Sequence, residues 1–316
     1  MPLSMRAKCW VPVTYVSPGF GHRWCPTLAS LNPMTTRTWL MGSLAGKTII
    51  MSGGSRGIGL AIALRAARDG ANVAIMAKTA EPHPKLPGTI YTAAEEIEAA
   101  GGHALPLLGD VRDDEVVASA VAQTVEKFGG IDIVVNNASA LNLAPSESIS
   151  MKAYDLMQDI NARGSFSLST SAIGALKEAD NPHILTLSPP ITLEPKWFER
   201  TTTAYTISKF SMSLVAIGLA AELRQYGIAS NALWPRTTID TAAIRNILGA
   251  ELVARCRSAQ IMADAAYEIL TKPSREVSGN CFIDDEVLRE AGVTDFSQYR
   301  ECAEEDLELD FWMERA

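Results

Sequence analysis

Three side chains in the stretch Thr186–Lys209, TLSPPITLEPKWFERTTTAYTISK, share a chemical use. Ser188 follows a short apolar run. Tyr205 and Lys209 stand four positions apart at the start of a long amphipathic segment, AYTISKFSMSLVAIGLAAELRQYG. On a helix that spacing puts a phenol and an ammonium on one face. A nearby cation favours the phenolate and pulls the tyrosine pKa from about 10 toward neutrality. A tyrosine tuned in this way gives or takes a proton at a carbonyl oxygen. Such a pair also arises by accident on helix surfaces, so its meaning depends on what the rest of the chain brings to it.

A second chemical element lies far upstream. SGGSRGIG, Ser52–Gly59, spaces Gly53, Gly57 and Gly59 as G-x-x-x-G-x-G. Glycine lets the backbone turn sharply and approach a pyrophosphate, whose charge then meets free N–H groups at a helix start. Ser55, Arg56 and Ile58 share this loop. The loop sits between an apolar run and a helical pattern, the context a dinucleotide-binding turn requires. NAD usually wants an acidic residue at the end of the second strand. Here that strand ends Ala77-Lys78, with no acid before Glu81, and Arg56 lies inside the loop. Two cations and no acid suit a 2′-phosphate, so NADP(H) is expected over NAD(H).

The elements that must position these groups alternate regularly. Strands are expected at Thr48–Ser52, Asn72–Ala77, Ala104–Leu108, Ile131–Asn136, His183–Leu187, Ile228–Leu233 and Asn280–Ile283. Helices are expected at Ile58–Asp69, Thr92–Ala100, Glu115–Phe128, Met151–Leu176, Ala204–Tyr226, Ala242–Arg255 and Gln260–Leu270. Glycines at 70, 101–102 and 129–130 mark helix ends, and Ser150 is an N-cap. Strands alternating with helices, several of them continuous apolar runs, predict a Rossmann-like, doubly wound α/β fold. It would be a single domain with a parallel seven-stranded sheet.

Composition narrows the partners. In a chain of 316 residues, a formal charge of −8 argues against nucleic acid as the main ligand. Five scattered cysteines without a C-x-x-C pair point to reduced thiols in a cytoplasmic setting. Four unclustered histidines make a metal site unexpected. No run of 18 or more apolar residues predicts a membrane span. Residues 1–45 differ from the rest: they lack Asp and Glu, carry Trp10, Trp24 and Trp39, and contain five prolines. We read them as a poorly ordered extension upstream of a natural start near Met41, with an organelle transit peptide as the lesser alternative. The domain is expected to run from 46 to 300. An acidic tail, 301–316, follows, whose Phe311, Trp312 and Met313 suggest a tip that packs on something.

Together these pieces resemble the short-chain dehydrogenase/reductase family. The glycine loop, NNAS at Asn136–Ser139, Asn161, Ser188 and YTISK follow in that family's order across residues 46 to about 285. Further stretches, LSPP followed by P-x-W-F, NALWP and ADAAY, are similar to a hydroxysteroid-dehydrogenase-like subgroup. Animal members of that subgroup carry a C-terminal sterol-carrier module. This sequence ends before one, so lipid transfer is not expected of it.

The resemblance implies roles. Tyr205 is the general acid in reduction, and Lys209 lowers its pKa and holds the nicotinamide ribose. Ser188 hydrogen-bonds the substrate oxygen. Asn161 holds a water in the proton relay. Asp110 and Val111 contact adenine, and Asn136, Asn137 and Ala138 line the cleft. Pro235 and Thr238, with Thr237 and Thr241 nearby, are placed at the carboxamide or phosphate. A homodimer or homotetramer is implied through the helices holding Tyr205 and Asn161.

The sequence departs from the family twice. Ser188 and Tyr205 are separated by 17 positions, with an insertion carrying Trp197 and Phe198 that either walls an apolar pocket or packs over the sheet edge. Pro235 is followed by Arg236 where the family usually has glycine, and Arg236 either faces the nicotinamide site or solvent. The leading expectation is an NADP(H)-dependent enzyme interconverting an apolar carbonyl and alcohol. An enoyl reductase of the same fold, or an NADP-sensing binding protein without turnover, stand as alternatives.

Overall fold

The computed structural model describes residues 42–82, 88–242, 244–245 and 250–315. Of the extension expected over 1–45, residues 1–41 lie outside the described residues, as does part of the proline-rich loop after the second strand, while Leu44 is buried in the core. The strands are β1 (Thr48–Ser52), β2 (Asn72–Ala77), β3 (His103–Leu108), β4 (Ile133–Asn136), β5 (His183–Leu187), β6 (Ala229–Trp234) and β7 (Cys281–Ile283). They form one parallel sheet of seven strands in the order β3-β2-β1-β4-β5-β6-β7. The order reverses between β1 and β4. In open α/β sheets that switch point opens a crevice beyond the carboxyl ends of the strands.

Successive strand residues point to opposite faces, and the core divides accordingly. Ile49, Met51, Val73, Ile75, Ile133 and Val135 pack with α1 (Gly57–Ala67) on one face. Ile50, Ala74, Met76, Val134 and Ile184 pack on the other, against α3 (Asp114–Phe128). Burial on both faces is why these strands read as continuous apolar runs and not as alternating ones. A third cluster sits at the carboxyl end of the sheet and contains Met157, Trp197, Tyr205, Phe210, Trp234, Ile283, Trp312 and Met313.

Several elements differ from expectation. The second helix, α2 (Ile90–Ala99), starts earlier because Thr89 and Thr92 form a reciprocal capping box. The long helix expected over Met151–Leu176 is α4 (Met151–Met157), a π-helical turn (Gln158–Arg163), α5 (Gly164–Ser171) and α6 (Ile173–Leu176). The π turn holds Asn161, whose side chain is drawn to a neighbouring loop as described below. The insertion after Ser188 is not merely a loop: Pro195 opens α7 (Pro195–Thr201), a position where its missing N–H costs nothing. Then comes α8 (Thr203–Leu223), extended by a 3₁₀ turn to Tyr226. Of the helix expected at 242–255, α9 (Ala250–Val253) is described. It is followed by α10 (Gln260–Leu270) and by an unexpected α11 (Asp284–Glu290) that starts directly from β7.

The acidic segment 301–316, expected as a tail with a packing tip, folds back onto the domain as far as Arg315, with Leu307, Trp312 and Met313 buried. The helical stretch Thr203–Tyr226 is long and apolar enough to cross a membrane, but 61% of its apolar window is buried inside the protein. It is the core helix that carries Tyr205 and Lys209.

Candidate active site

The glycine loop follows β1 and its geometry explains its composition. Gly53 and Gly57 have φ of +74° and +57°, where a side chain is strained. A Cβ on Gly59 would lie 2.6 Å from Nδ2 of Asn137, and one on Gly53 2.9 Å from Cα of Ala138. Gly54, not singled out from the sequence, is the most constrained: its Cβ would fall 1.9 Å from Cγ2 of Ile75 on β2. Asn137 ties the loop down by donating to the carbonyls of Gly53 (2.8 Å) and Ser52 (3.3 Å). The amide of Ala138 donates to Oγ of Ser52 at 3.2 Å. Arg56 occupies the N-cap of α1 without a capping side-chain bond, so the first amides of the helix are free to meet an anion.

Gly53, Arg56, Gly57, Asn137 and Ala138 line one cleft of about 460 Å³ with Ser55, Ile58, Lys78, Gly109, Asp110, Val111, Ser139, Ile160 and Thr241, and Gly59 stands behind that lining. The glycine cradle and the free helix terminus fit a dinucleotide pyrophosphate. Arg56 donates from Nη2 to the carbonyl of Gly88 at 2.7 Å, while its buried Nε has no partner among the described residues. Lys78 pairs with Asp110 at 3.3 Å, and Asp110 also receives Arg112 at 2.6 Å. The hydrogen bonds from Arg112 hold the Asp110 carboxyl down at about 2, against the opposing pull of desolvation.

The other predicted site residues meet at the ends of β5 and β6. Lys209 donates from Nζ to the carbonyl of Leu187, 2.7 Å away, which brings the face of α8 onto the residue before Ser188. Ser188 is fully buried, anchored by its amide to Leu233 O at 3.2 Å, and its Oγ has no partner among the described residues. Asn161 accepts from the amide of Ala140 (2.7 Å) and donates to Ala140 O (3.0 Å) and to Ser208 Oγ (2.9 Å). Its carboxamide is thus committed to protein. These bonds let the side chain position the loop after β4 against α8. Asn136 is likewise turned inward, to Ser169 and Thr186.

Two expectations meet a different environment. Lys209 was expected to lower the Tyr205 pKa. Here burial pushes Tyr205 well above its ordinary value, with the nearby charge of Asp310 adding to the effect. Burial also brings Lys209 down to about 7, against the pull of Asp310. Pro235 and Thr238 do not line the cleft. The amide of Thr238 donates to Glu308 O (2.9 Å) and its carbonyl accepts from Arg257 (3.0 Å), so its backbone is occupied.

Arg236 faces neither solvent nor the cleft. It grips Asp285 with Nε, 2.8 and 2.9 Å from the two carboxylate oxygens, reaches Glu286, and donates to Glu314 O at 3.3 Å. Trp197 is buried in the apolar cluster around Tyr205, and Phe198 is half-buried. Sequence reasoning missed the part played here by Trp234 and Phe210, which looked like ordinary strand and helix residues.

A doubly wound parallel sheet with a glycine loop at its switch point and Ser, Tyr and Lys beyond β5 is an oxidoreductase architecture. Residues 47–251 match the family described as short chain dehydrogenase, and the chain belongs to it. Particular relatives are closer still. The chain is 56% identical over 258 residues to hydroxysteroid dehydrogenase-like protein 2 of Danio rerio, covering 82% of this chain and 61% of that protein. Against the Homo sapiens protein of that name it is 50% identical over 273 residues, covering 86% and 65%. The chain therefore spans less than two thirds of the length of these relatives. Among solved structures, a short chain dehydrogenase from Mycobacterium thermoresistibile is 59% identical with a TM-score of 0.82, covering 86% of this chain and 96% of that one. A short chain dehydrogenase from Burkholderia cenocepacia in complex with NADP is 26% identical with a TM-score of 0.65, covering 76% and 96%.

Proposed function

We propose that the chain interconverts a carbonyl and an alcohol on an apolar substrate, using NADP(H). The observation that carries this reading is the Lys209–Leu187 hydrogen bond of 2.7 Å, which sets the Tyr205/Lys209 face of α8 against Ser188 and its unpartnered hydroxyl. A bound nicotinamide supplies or takes the hydride. Ser188 would donate to the substrate oxygen as negative charge grows there. Tyr205 would deliver the proton to that oxygen in reduction and remove it in oxidation. Lys209 would hold the ribose and favour the phenolate. Gly53, Ser55, Gly57, Ile58 and Gly59 would hold the pyrophosphate, with Asp110, Val111, Asn137 and Ala138 along the nucleoside.

The preference for NADP(H) is supported by Arg56 and Lys78 in the cleft and by the absence of an acid at the end of β2. The related Burkholderia cenocepacia enzyme in complex with NADP is in keeping with it. Apolar character is supported by Trp197, Phe210, Trp234 and Met157 around Tyr205, and by the hydroxysteroid-dehydrogenase-like name of the relatives. Half-exposed apolar side chains on α5 and α8, Phe166 at 50% and Leu214 at 60%, support pairing of two copies through these helices.

The test is a panel of aldehydes and ketones graded by apolar size, followed by NADPH absorbance at equal protein concentration with NADH as comparison. Oxidation of NADPH by large apolar carbonyls is expected. Tight NADPH binding with no turnover on any substrate, unchanged in Tyr205→Phe, would replace the enzyme with a binding protein.

A further inference from the structure

The segment Leu307–Arg315 lies across the catalytic end of the sheet. Its first half runs as an extended edge. Glu308 donates to Arg255 O (2.9 Å), Thr238 donates to Glu308 O (2.9 Å), and Asp310 donates to Arg236 O (3.0 Å). Thr237 and Leu309 form an antiparallel bridge. The chain then turns inward and places Trp312 among the aromatic residues. The indole stacks on Tyr205 at 5.8 Å, meets Trp234 edge-on at 5.6 Å and lies 5.4 Å from Phe210. Trp234 donates from Nε1 to Phe311 O at 3.0 Å.

The consequence is closure. Ser188, Lys209 and Tyr205 are 0%, 3% and 5% exposed. The nucleotide cleft reaches Ser139, Ile160 and Thr241 but not these three residues. No hydride donor or carbonyl reaches Tyr205 in this arrangement.

Two features of the closure oppose it. Trp312 has φ of +63°, a left-handed conformation unfavourable for a bulky residue. Its indole Nε1 is buried with no hydrogen-bond partner among the described residues, a state that costs free energy water would return. Polar ties hold the backbone on either side of the indole, from Trp234 to Phe311 O and from Arg236 to Glu314 O, and Lys196 of α7 pairs with the Glu314 carboxylate. The segment is therefore seated by its backbone and strained at the tryptophan itself.

We propose that Leu307–Arg315 is a displaceable strap that occupies in cis the volume a flat apolar substrate takes against Tyr205. The inference rests on the oxidoreductase reading above. Substrate and the nicotinamide end of the cofactor enter only as the strap lifts. What replaces Trp312 must match its surroundings: a planar, apolar ring system of about indole thickness, carrying the oxygen that reaches Ser188. The closed form also holds Tyr205 in the wrong range for proton transfer, since burial raises it, and lifting the strap removes part of that burial.

Hydrogen exchange of the full chain, with and without saturating NADPH, tests this without a variant. Amides of Glu308 and Asp310 should lose protection at least tenfold when NADPH binds. Trp312→Gly, which suits a positive φ and deletes the indole, should lower the NADPH dissociation constant by at least fivefold by calorimetry. NADPH binding that leaves both amides protected, with the Trp312→Gly constant within twofold of wild type, would overturn the strap while leaving the enzyme reading intact. Absence of binding of either nucleotide to either protein would remove the oxidoreductase reading, and the strap with it.

Discussion

The indole of Trp312 lies over the phenol of Tyr205, ring centroids 5.8 Å apart and planes inclined by 28°. The proposed proton donor is thus covered by an aromatic ring from its own chain, about 100 residues further on. Chemistry at this site and access to it are separate properties, and they can be tested separately.

Tyr205→Phe should keep NADPH affinity and lower kcat by about 10²–10⁴-fold, the usual contribution of a positioned acid or base. Ser188→Ala should cost about 10²-fold in kcat, because one donor to the developing oxyanion is lost. Stopped-flow absorbance of NADPH measures both. A loss under tenfold in the tyrosine variant would assign the proton transfer elsewhere.

Cofactor choice should depend more on Arg56 than on Lys78. Lys78 already shares its charge with Asp110 at 3.3 Å, whereas the buried Nε of Arg56 has no partner among the described residues. Arg56→Ala is expected to reduce the NADP/NAD preference by about tenfold, equivalent to about 1.4 kcal/mol. Lys78→Ala should reduce it about threefold, in line with exposed charge pairs. Ratios of kcat/KM for the two nucleotides report the result.

Strap seating should depend on pH through Asp310. Burial raises its carboxyl to about 7; Asp284 raises it further, while the Phe311 amide, Lys209 and Arg200 oppose. In the lifted strap it would titrate near the ordinary value of about 3.9. The seated form therefore holds a proton that the lifted form has lost between about pH 4 and 7. Seating weakens across that window by up to about 1.4 kcal/mol per pH unit. Lys209 acts with the opposite sign above it. Its pKa, lowered to about 7, makes the seated form release a proton first, so seating strengthens again toward pH 10. Opening should peak near pH 7, read from exchange at Glu308 and Asp310 after correction for intrinsic rates. Asp310→Asn should remove the acidic limb alone.

Arg236→Gly should destabilise the fold by about 3 kcal/mol, because it removes the Nε–H that both carboxylate oxygens of the buried Asp285 share. Arg257 at 3.9 Å and Arg289 at 3.3 Å limit the loss. Urea unfolding measures it. Arg236→Lys should rescue little, since one ammonium cannot reach Asp285, Glu286 and the Glu314 carbonyl together.

How far the sequence carried the fold depends on where each element takes its instructions. β1, β5 and α10 were read to the residue, because apolar runs or periods end at clear polar or glycine signals. The helix through Asn161 kept its period in the sequence while its backbone loosened into a π turn, a change tied to bonds with Ala140 and Ser208 that only the fold brings close. α11 begins one residue after β7, with no turn residue to announce it, although its acidic first turn was a usable sign. Ser188, Tyr205 and Lys209 were visible by type and spacing. The direction of the Tyr205 shift was not, since it is set by burial beneath residues near the chain's far end. Phe311, Trp312 and Met313 stood out in an acidic segment, but their destination required the aromatic surroundings of Tyr205.

The seated segment also serves as a mould for inhibitor design. Asp310–Met313 presents an aromatic pair and a thioether to the cluster around Tyr205, from a backbone already bent to deliver them. A short peptide or peptidomimetic with a D-amino acid at the tryptophan position would adopt that left-handed turn without strain. Its selectivity over other family members would come from the inserted Trp197 wall and not from the catalytic groups they share.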